Sequence, residues 1–81
     1  MINFDDLVEK LKNGATVNVY DLEYMYVFFK QNNFLRMIKY DKHLIRRYGD
    51  AIPFDTCLTN LNARLEFDKI LDNARGYEVL W

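Results

Sequence analysis

Only three glycines and one proline interrupt the 81 residues, and each glycine stands just beyond a stretch carrying a cation. Gly14 follows Glu9-Lys10-Leu11-Lys12-Asn13, Gly49 follows Arg46-Arg47-Tyr48, and Gly76 follows Asn73-Ala74-Arg75. Glycine reaches the left-handed conformation that closes a helix, and a cation in the last turn complements the helix dipole. The punctuation therefore predicts helices that stop near positions 13, 48 and 75, inside one domain spanning 1–81.

The segments between these stops carry helical periodicity. From Phe4 to Asn13, Asn3 can cap, Asp5 and Asp6 suit the positive end, and Phe4, Leu7, Val8 and Leu11 form one apolar stripe. From Phe34 to Tyr48, Phe34, Ile38, Leu44, Ile45 and Tyr48 cluster on one side at about 100° per residue, and Arg36, Lys39, His43, Arg46 and Arg47 on the other. After Pro53 the apolar face changes. Phe54, Cys57, Leu58, Leu61 and Leu65 share one stripe, whereas Ala63, Phe67, Ile70, Leu71 and Ala74 share nearly the opposite one. The expected reading is a break near Glu66; the alternative is one long helix with two apolar sides, which implies a partner or self-association through 54–75. Tyr77 to Trp81 alternates like a short strand or extended arm.

Residues 17–32 admit two readings. As a helix, Asn18 caps, Asp21 completes a capping box, and Val17 staples against Leu22. As strands, Val17 and Val19 alternate, Tyr24 to Phe29 is rich in aromatic and β-branched residues, and Asn32-Asn33 makes a tight turn. Asp41 favours the second reading, because it would interrupt the apolar stripe of an unbroken helix. The caps favour the first. The expected fold is all-α, a small four-helix-type domain with a short C-terminal extended arm; the alternative is α+β with a central β-hairpin at about 17–40.

Catalytic machinery is not expected. The chain has no serine, which excludes serine hydrolases, and one His with one Cys cannot build the usual zinc site. A Cys57–His43 pair would need a thiolate, yet Cys57 lies on an apolar stripe where free Cys is a small buried hydrophobe. Asp68 and Asp72, four apart, read as a solvated helix face with Lys69 nearby, and no glycine-rich phosphate loop exists. No cofactor and no metal are implied.

Charge supplies the functional expectation. Residues 1–29 carry five acids against two bases, residues 30–49 six bases against one acid, and residues 50–81 six acids against three bases. Within the basic middle, Arg36, Lys39, His43, Arg46 and Arg47, with Lys42 at the margin, line one side of the expected helix, with Tyr40 and Tyr48 as aromatic anchors. Tyr, Trp and Arg are the types enriched at binding hot spots, and the chain carries six Tyr and one Trp. The expected function is non-catalytic protein binding, as an inhibitor or adaptor of the kind mobile elements aim at a host enzyme. The partner would be the acidic surface of another protein, held by that basic helix face. Nucleic-acid phosphates contacted by the same face are the alternative, disfavoured by a net charge of −1. A single cysteine, an acidic opening unlike a secretory leader, and no apolar run near the roughly 20 residues of a membrane span point to the cytoplasm and to no membrane association.

Overall fold

A computed structural model of the chain describes residues 2–41 and 51–81, together with the backbone of 46–48. Helix α1 (Phe4–Lys12) forms as its sequence dictates. The Asn3 side chain accepts from the Asp6 amide at 2.8 Å, and Phe4, Leu7, Val8 and Leu11 are buried together. Its exit uses Gly14 at φ 97°, where the Gly14 amide donates to Leu11 and the Ala15 amide to Lys10, both at 3.0 Å.

The all-α expectation fails beyond this point, and the α+β alternative is closer. Strands β1 (Thr16–Tyr20), β2 (Tyr24–Gln31) and β3 (Phe34–Asp41) form an antiparallel meander. The reason lies in the turns. Asp21 does cap, but its Oδ1 accepts the amides of Glu23 and Tyr24 at 2.7 and 2.6 Å, closing a β1–β2 turn instead of opening a helix. Asn32 takes φ 55° in the two-residue loop joining Gln31 to Phe34, which lets two strands of strong propensity pair along their whole length. The helix expected over Phe34–Tyr48 is replaced by β3 and the three-residue β4 (Arg46–Tyr48), which pairs with β3. The glycine stop at Gly49 lies outside the described residues.

Strand β5 (Ile52–Pro53) adds a two-residue pairing to β3 and leads into α2 (Phe54–Thr59) and α3 (Leu61–Asp72). The break between these helices falls at Asn60, not near Glu66. Asn60 closes α2 through its amide to Thr56 at 2.7 Å and caps α3 by accepting from the Ala63 amide at 3.2 Å. Helix α3 then runs unbroken through Glu66 and keeps two apolar sides. Phe67 and Leu71 are buried, whereas Leu61 and Leu65 are 68% and 57% exposed. Gly76, expected as a helix stop, instead begins β6 (Gly76–Leu80), so the extended arm is an integral strand.

Strands β4, β3, β2, β1 and β6 follow one another across the sheet. Alternation sends Val17, Val19, Tyr26, Phe28, Leu35 and Met37 toward the three helices. The Phe67 ring joins the layers, 5.9 Å from Phe4 and 5.8 Å from Phe28. The result is a two-layer domain whose core lies between one sheet face and the helices.

Candidate interaction surface

The opposite sheet face has no helix over it among the described residues. Register places Tyr20 beside Met25 and Met25 beside Tyr40, Asn18 beside Val27 and Val27 beside Ile38, and Phe29 beside Arg36. These side chains are half-buried, apart from Tyr20, which is just exposed, and Ile38, which is buried outside the main core cluster. A shallow depression at one end is lined by Gly14, Thr16, Val27, Phe29, Asn32 and Ile38. Such a face is more apolar than a solvated antiparallel sheet, which alternates apolar and polar positions.

The expected basic helix face does not exist. Residues 36 and 39 are three apart on one strand, so their side chains leave opposite faces. Arg36 projects from the bare face and forms no ion pair with any described residue. Tyr40 shares that face. Lys39 lies on the helix side with its Nζ 3.8 Å above the Tyr24 ring and 5.6 Å from the Tyr26 ring, so its charge is already engaged by aromatic faces. Lys42 and His43 lie outside the described residues. Arg46, Arg47 and Tyr48 are placed by backbone alone, opposite Tyr40, Lys39 and Ile38.

Burial on the covered face acts on two ionisable groups. Burial pushes the Tyr26 phenol up, with the Asp21 carboxylate and the Tyr24 phenol adding to it. Burial also raises the Cys57 thiol, whose Sγ lies 4.0 Å from the Ile52 carbonyl oxygen. A thiol held protonated in an apolar core is a poor nucleophile. Among the described residues no three His, Cys, Asp or Glu side chains assemble a metal-binding group, and no helix is long and apolar enough to cross a membrane.

Sequence reasoning missed Met25, Val27, Phe29 and Ile38. The available signal was that Tyr24 to Phe29 is apolar at both parities, with Tyr24, Tyr26 and Phe28 serving the core and Met25, Val27 and Phe29 left over. A strand apolar on both sides calls for cover on both sides. Comparison with protein-family models, with curated proteins and with solved structures finds no match for the chain, so its function has to be argued from this surface.

Proposed function

We propose that the chain is a non-catalytic binding module, an inhibitor or adaptor, that engages the acidic surface of another protein through its bare sheet face. The observation that carries this reading is the asymmetry of the sheet, with three helices on one face and none on the other among the described residues. Met25, Phe29, Tyr40 and Arg36 belong to the residue types enriched at interface centres. Arg36, directly across from Phe29 on the neighbouring strand, carries a planar fork suited to a carboxylate.

Capture from the native host's lysate tests the reading. A partner held by the wild type is expected to be lost on Arg36→Glu and on Phe29→Asp, and retained on Lys69→Glu, a change on exposed α3 surface. Truncation of one anchor, Phe29→Ala, is expected to weaken the isolated complex by about 30-fold or more, the scale of a hot spot of about 2 kcal/mol. Binding indifferent to all bare-face changes would sink it. So would duplex retardation in a low-salt gel shift that supplies the whole interaction, with a logarithmic salt slope near 0.9 per phosphate.

A further inference from the structure

From the two edges of the sheet we infer that β6 pairs antiparallel with β6 of a second copy of the chain, about a twofold axis normal to the sheet, with Val79 opposite Val79. Strand β6 ends the strand order and bonds to β1 on one side, with no described strand on its other side. Every second residue of such a strand turns its amide and carbonyl outward, so β6 offers a row of unpaired donors and acceptors.

Sheet edges are ordinarily blunted by short strands, Pro, Lys or bulges. The far edge follows that rule. There the outer side of β3 is occupied by β4 of three residues and β5 of two, one of them Pro53. The β6 sequence Gly-Tyr-Glu-Val-Leu contains no Pro and no Lys, runs five residues in unbroken register with β1, and includes no left-handed residue. Its side chains also suit cover: Tyr77 is 44% exposed, Leu80 46%, and the adjoining Trp81 78%.

Self-pairing is selective in register. An axis normal to the sheet brings like faces together, so a residue must face its own copy at the dyad. With Glu78 at the dyad, two carboxylates meet directly. A shift of two residues puts Val79 at the dyad, moves each Glu78 opposite Leu80, and pairs Tyr77 with Trp81 twice. Aromatic cross-strand pairs stabilise and directly opposed like charges destabilise, which favours Val79 over Glu78. A further shift to Leu80 leaves only Val79, Leu80 and Trp81 of the described residues paired and loses the Tyr77–Trp81 pairs. Both bare faces then lie on the same side of one continuous sheet. The contact is small, so association is expected in the micromolar range.

Sedimentation across that range tests this independently of the partner reading. The expected mass rises with concentration toward twice the 9.8 kDa chain. Tyr77→Lys with Trp81→Lys, which opposes lysines twice, is expected to remain monomeric with an unchanged far-UV spectrum, whereas Arg36→Glu on the bare face still dimerises. Val79→Cys is expected to link two chains under oxidised glutathione, and Glu78→Cys is not. A monomer at every concentration, or linkage through position 78 in place of 79, overturns the inference.

Discussion

Single side chains explain much of why this chain settles as it does. Phe67 touches both the α1 ring of Phe4 and the sheet ring of Phe28, so its loss opens the layer interface from the helix side. Phe67→Ala is expected to cost about 3–5 kcal/mol in urea unfolding, the scale for a large buried aromatic. The raised Cys57 and Tyr26 groups give a pH dependence. Above the ordinary thiol value of 9.0, the unfolded Cys57 loses its proton while the folded one keeps it. The unfolded state then binds fewer protons, so stability falls as pH rises. Tyr26 adds the same sign above its ordinary 10.0. Stability from these two groups is complete below pH 9.0 and declines through the alkaline range. Cys57→Ala and Tyr26→Phe should each flatten that decline, whatever they do to stability at neutral pH; an unchanged slope would show that neither group carries it.

Legibility changes sharply from one element to the next. Helix α1 could be read outright because cap, dipole and apolar stripe agree within nine residues. The β1–β3 region could not, because Asp21 has the same chemistry at a helix start and in a tight turn, and only long-range pairing chooses. The basic face expected on a helix is lost for a related reason. Its cations fit a period of 3.6 as well as a two-sided strand, and a strand splits Arg36 from Lys39. The change of apolar face after Pro53 points to a break near Glu66, whereas Asn60 marks the actual one because one residue can close α2 and cap α3. Asn60→Ala removes only the side-chain half of that duty, since the amide bond to Thr56 survives, and is expected to cost about 0.5–2 kcal/mol in chemical unfolding. A cost near zero would mean that water replaces the Asn60 carbonyl oxygen without loss.

At the scale of the molecule, the one asymmetry that matters is between the two faces of the sheet. Val19 and Val27 are chemically identical, on adjacent strands, and leave the sheet in opposite directions. Val19 is fully buried against the helices, and Val27 is half-buried on the bare side. Threonine has nearly the same shape and strand propensity as valine, so exchange replaces one methyl with a hydroxyl and changes little else. At position 19 that hydroxyl enters a core without spare partners, and Val19→Thr is expected to cost about 1–3 kcal/mol. At position 27 it stays wet, and Val27→Thr is expected to cost less than about 0.5 kcal/mol, as surface substitutions do. On the proposed binding through this face the contrast reverses: Val27→Thr is expected to weaken the partner complex while the folded chain hardly registers it. Equal destabilisation by the two exchanges would mean that the chain already covers both faces, leaving no unfilled surface for a partner to occupy.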